Sequence, residues 1–91
     1  MERIKLLDFW APWCGYCKLM DETIEELEET YRGEIDFQKI NIDEEKELAQ
    51  KYRVMGIPTY VIIKGEEILG RLSGYQEKEA MRSFIDGCLG H

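Results

Sequence analysis

The chain has few of the residues that commonly announce a chemistry by themselves: one histidine, three cysteines and two prolines among 91 residues. Structural zinc takes four ligands, often from two cysteine pairs, and beyond one such pair only Cys88 and His91 are at hand, so no metal centre is expected. Three cysteines cannot all pair, and a disulfide scaffold is not expected in a protein of the reducing cytoplasm. No apolar run approaches the ~20 residues that a membrane-spanning helix requires. Lys and Arg number 12 against 19 acidic residues, a net charge of −7. With no basic run to neutralise phosphates, neither nucleic acid nor an anionic lipid surface is an expected partner. Linkers, repeats and low-complexity segments are missing too. The opening MERIKLLDFW has no separate hydrophobic region and no small-residue cleavage site, and reads as the first strand of a cytoplasmic protein.

What is present is sufficient for one small core, and the chain reads as a single domain over residues 1–91. The stretch IKLLDFW, residues 4–10, is a short apolar run suited to a strand buried on both faces. A helix is expected from Cys14 or Gly15 to Tyr31, with Met20, Ile24, Leu27 and Tyr31 as its inner stripe and acidic residues outside. IDFQKINI, residues 35–42, reads as a second strand, after which Asp43 is placed to cap a short helix through Leu48 and Tyr52. TYVIIK and EEILGRL form a hairpin through Gly65. Met81, Phe84, Ile85 and Cys88 define the inner side of a last helix, in which Cys88 is expected to act as a small buried hydrophobe. The order β-α-β-α-β-β-α predicts an α/β fold, a mixed four-stranded sheet flanked by helices on both faces.

The segment FWAPWCGYCKLM sets Cys14 and Cys17 two residues apart. Covalent haem attachment needs a histidine after the second cysteine, where this chain has Lys18. A structural disulfide across so short a loop removes little entropy from the unfolded chain. Redox catalysis fits better. At a helix N-terminus the free N–H groups and the dipole stabilise the Cys14 thiolate, and Cys17, one turn on, can attack a mixed disulfide. Gly15 leaves the turn uncrowded. Tyr16, unlike proline, supplies a backbone N–H in the first turn, expected to aim at the Cys14 sulfur. Asp8, a carboxylate in an apolar strand, is too costly to bury without a purpose.

The stretch LLDFWAPWCGYCK resembles the active-site segment of the thioredoxin family, and KINIDEEKELAQKYRVMGIPTYVIIKGEEI resembles its second half. The resemblance covers nearly the whole chain and implies the thioredoxin fold, lacking the usual leading strand and helix. It implies dithiol-disulfide exchange with disulfide-containing proteins, a thioredoxin-reductase-like flavoprotein as electron donor, no cofactor of the domain's own, and a monomer. By the same resemblance Asp8 lies beneath Cys17 and shuttles its proton, with Lys39 beside it. Pro58 follows a cis bond, and the backbone of Ile57 pairs with an extended substrate. Trp13, Gly56 and Gly74 form a flat apolar rim, with Gly15 and Tyr16 also facing substrate, and Trp10 supports from the core. Tyr16 departs from the motif's proline and Glu22 from a helix-kinking proline. CGYC is also similar to periplasmic disulfide isomerases, and the small size to glutaredoxins. A non-catalytic binding module using the groove and the acidic helix is the rival from another class.

Overall fold

The computed structural model describes residues 2–91. Strand β1, Ile4–Trp10, carries four consecutive buried residues, and the sheet order β2-β1-β3-β4 gives the reason. β1 is central, parallel to β2 (Ile35–Asn41) and antiparallel to β3 (Thr59–Lys64). A strand covered on both faces reads as a continuous apolar run instead of alternating with polar residues. β3 is buried from Thr59 to Ile63 for the same reason, whereas β4, Glu67–Ser73, is a half-exposed edge. The turn between β3 and β4 places Gly65 at φ 61°, a left-handed conformation that glycine adopts without steric cost.

Side chains alternate across the sheet, so Leu6 and Asp8 of β1 point one way and Leu7 and Phe9 the other. On the first side Leu6, Tyr60 and Ile62 pack with Met20, Ile24 and Leu27 of α1 (Gly15–Thr30) and with Met81 and Ile85 of α3 (Lys78–Leu89). On the second side Leu7, Phe9, Ile40, Val61 and Ile63 pack with Tyr52, beside α2 (Lys46–Lys51). The expected helices therefore cover both faces. Each fully buried aliphatic residue here contributes about 1.5–3 kcal/mol by leaving water.

Tyr31 closes α1 instead of belonging to it, and its hydroxyl donates to Asp86 at 2.6 Å, joining α1 to α3. The thiol of Cys88 is half-buried, not fully buried, and burial pushes its pKa up. A methyl group at Gly70 would stand 2.7 Å from the Cys88 sulfur, so the glycine in mid-strand makes room for α3.

The second helix departs from expectation. Asp43 does not cap it; the N-cap position belongs to Glu45. The backbone carbonyl of Asn41 accepts the N–H groups of Glu44 and Glu45, and its side chain accepts that of Asp43 at 2.9 Å. This Asn-centred turn satisfies the local donors and postpones the helix. At its far end, the Arg71 guanidinium donates to the carbonyls of Tyr52 at 2.7 Å and Arg53 at 3.2 Å, which fastens the helix end to β4. No helix among the described residues is long and apolar enough to cross a membrane.

Candidate active site

β1 ends at Trp10, and the chain turns through Pro12 and Trp13 into α1. Cys14 is the N-cap of α1, with extended backbone angles (φ −90°, ψ 109°), and its sulfur accepts the backbone N–H of Cys17 at 3.1 Å. A side chain at this position normally receives such a donor from the second or third helical residue, and here the sulfur takes the place of the usual oxygen. The donor is Cys17, not Tyr16, which corrects the role expected for the tyrosine backbone. Cys14 and Cys17 are joined as a disulfide, their Cα atoms 5.3 Å apart.

Both cysteines are buried as residues, Cys14 being 6% and Cys17 5% exposed. Electrostatics distinguishes them, because the helix N-terminus and the N–H donor both act on the Cys14 sulfur.

Ala11, Cys14 and Cys17 form a small apolar cluster with Trp10, Ile42 and Ile57 against it. Ile57 brings the second half of the chain to the cysteines, and its bond to Pro58 is cis. Gly74, at φ 87°, donates its N–H to the Pro58 carbonyl at 2.7 Å, so the residue after β4 is joined directly to the cis-proline segment. Thr59 steadies the same loop: its hydroxyl donates to the Gly56 carbonyl at 2.6 Å and lies 3.1 Å from the Ser73 hydroxyl.

Around the disulfide the surface is apolar and open. Trp13, Gly56 and Ile57 line a groove of about 270 Å³ with Ile42, Val54 and Met55. Met55 is almost wholly exposed, at 95%. On another side the exposed ring of Tyr16 lies 6.4 Å from that of Tyr75, a tilted aromatic pair. Gly15 has open space beyond its Cα. Met55, Thr59, Ser73 and Tyr75 were not singled out from sequence, because their relation to the cysteines exists only after folding.

Asp8 is buried on the β1 face that meets α1, and burial pushes its pKa up to about 6, against the charge of Lys39 and with a smaller upward push from Asp21. It opens into a cleft of about 340 Å³ lined also by Asp21, Ile24, Phe37 and Lys39. Cys17 and Asp21 are four residues apart on α1, hence stacked on one side of the helix. The cleft therefore starts one helical turn from Cys17. Lys39 pairs with Asp8 in the β1–β2 register, yet its ammonium lies 3.3 Å from Asp21 and 5.1 Å above the Trp10 ring. Among the described residues there is no cluster of three or more His, Cys, Asp or Glu side chains arranged to hold a metal.

Comparison with known proteins accords with this geometry. The family model described as Thioredoxin matches residues 1–87. A thioredoxin of Bacillus subtilis is 40% identical over 85 residues, covering 93% of this chain and 82% of that protein. A thioredoxin of Staphylococcus epidermidis is 42% identical over 83 residues, covering 91% and 80%. Among solved structures, a mutant thioredoxin from Halobacterium salinarum NRC-1 superposes with a TM-score of 0.84 at 32% identity, over 94% of this chain and 74% of that one. The structure of a malarial protein superposes with a TM-score of 0.86 at 25% identity, over 96% of this chain and 98% of that one.

Proposed function

The chain belongs to the thioredoxin family and is a protein-disulfide reductase, and from that premise we propose how its residues divide the reaction. The family works on disulfide-containing proteins and takes its electrons from a reductase partner.

The Cys14 thiolate attacks one sulfur of the substrate disulfide; the new sulfur–sulfur bond forms as the old one breaks, and the first substrate thiolate leaves. Cys17 then gives up its proton and attacks the Cys14 sulfur, forming the intramolecular disulfide and releasing the second thiolate. Two electrons have passed from the dithiol to the substrate. Asp8, its carboxyl raised to about 6, accepts the Cys17 proton and later returns one when the disulfide is reduced. Lys39 moderates the charge on that carboxyl. The backbone of Ile57, before Pro58, pairs with an extended stretch of substrate, and Trp13, Gly15, Tyr16, Gly56 and Gly74 form the surface around it. The electron donor is a thioredoxin-reductase-like flavoprotein. The protein acts as a single-domain monomer in the cytoplasm.

The observation that carries this reading is the Cys14 sulfur at the cap of α1, bonded to Cys17 and faced by Ile57. Insulin reduction with dithiothreitol as electron source tests it. Wild type should accelerate the reaction and Cys14→Ser should abolish the acceleration. Equal rates for the two proteins would overturn the assignment.

A further inference from the structure

We propose that Asp21 is a positioning residue for proton transfer: it holds the Lys39 ammonium away from Asp8 and so keeps the buried carboxyl ready to receive the Cys17 proton. This rests on the role given to Asp8 above.

The geometry poses a choice for Lys39. Residues paired in the register of adjacent strands project to the same face, so Lys39 on β2 is the neighbour best placed to neutralise Asp8 on β1. A lysine seated on a buried carboxylate fixes it in the charged form and makes it a poor proton acceptor. Here the ammonium is taken elsewhere. Asp21 holds it at 3.3 Å across the mouth of the cleft, and the Trp10 ring underlies it at 5.1 Å. Asp8 itself has no salt bridge among the described residues. Asp21 thus acts twice in one direction, by diverting a cation and by adding a like charge near Asp8.

The other groups around Asp8 do not substitute for it. Glu25 and Glu28 of α1 line the same cleft. Neither is bonded to Lys39, whose ion-pair partner is Asp21. Tyr60, opposite Asp8 on β3, stays neutral because burial and the charges of Asp8 and Asp21 push its pKa up.

The test is a carbon-13 NMR titration of the Asp8 carboxyl in the oxidised protein, for wild type, Asp21→Asn, Asp21→Glu, Lys39→Gln and the double variant Asp21→Asn with Lys39→Gln. Asp21 is exposed, so its variants should fold. Asp21→Asn should lower the Asp8 midpoint by roughly half a unit, about a threefold loss of proton affinity, and Asp21→Glu should restore it. In the Lys39→Gln background the shift should fall to less than half, because no cation remains to be diverted. An unmoved midpoint in Asp21→Asn overturns the proposal. So does an equal shift in both backgrounds, which would make Asp21 a direct charge and not a positioning residue. The titration involves no turnover, so either failure leaves disulfide exchange by Cys14 and Cys17 intact, whereas failure of insulin reduction would strike that reading instead.

Discussion

The indole N–H of Trp13 donates to the Asp43 carboxylate at 2.9 Å, tying the residue before Cys14 to the turn that follows β2. Trp13 is 67% exposed, so the bond holds a large apolar ring in a fixed pose on an open surface. Asp43→Ala should leave stability within about 0.5 kcal/mol of wild type, as expected of an exposed contact. It should raise KM for a protein substrate several-fold with kcat little changed, because the ring must then be ordered during binding. Steady-state insulin reduction, with indole fluorescence to report the freed ring, measures both. An unchanged KM would show that the pose of Trp13 is irrelevant to docking.

Asp8→Asn should stabilise the oxidised protein near neutral pH. The carboxyl has a folded pKa of about 6 against an ordinary value of 3.8, so the folded state holds its proton more tightly than the unfolded state does. Stability from this group is complete below about pH 4 and is lost as pH rises through 6, a loss of about 3 kcal/mol. Asparagine removes that loss, so the variant should gain about 2–3 kcal/mol at pH 7 and almost nothing at pH 4. Urea midpoints at both pH values test the difference. Reduction should slow as well, since an amide accepts no proton. A pH-independent gain would place the effect in packing.

Cys14 should be the fast-reacting thiol of the reduced protein, by at least about tenfold, because the helix terminus lowers its pKa. Alkylation followed by peptide mass spectrometry reads the two rates. Cys17→Ser should then accumulate mixed disulfides with substrate that Cys14→Ser does not form. Faster labelling of Cys17 would reverse the roles.

Tyr16→Pro should move the Cys14 pKa by less than about half a unit, since proline removes only its own N–H and the donor to the sulfur belongs to Cys17. Loss of the ring beside Tyr75 should instead raise KM for protein substrates. A thiolate absorbance titration gives the pKa. A rise of a full unit would show that the Tyr16 N–H serves the reduced form.

The parts legible in sequence are those governed by local periodicity and spacing. Met20, Ile24 and Leu27 declare the buried side of α1, the unbroken run in β1 declares a central strand, and two cysteines at a helix start declare a redox pair. Asp43 misleads because capping chemistry and turn chemistry use the same residue types, and Asn41 upstream captures the donors first. Its carboxylate is then free for Trp13, a partner that no local rule indicates. Asp21 reads as one more acid on a solvated face. Only the approach of β2 to α1, which brings Lys39 within reach, makes it distinct. Tyr75 and Met55 look like scattered exposed apolar residues until folding sets Tyr75 beside Tyr16 and Met55 in one groove with Trp13.

The central place of β1 also bears on how the protein is made. The strand that leads into the reactive cysteine leaves the ribosome about fifty residues ahead of its neighbour β3. At roughly 5–20 residues per second, synthesis leaves Cys14 without its finished surroundings for about 3–10 s. During that interval α1 has no completed sheet to dock on, and the nascent thiols lack the cap geometry that makes one of them reactive. The reactivity that depends on the cap at the start of α1 therefore develops only as β3 joins the sheet, late in synthesis.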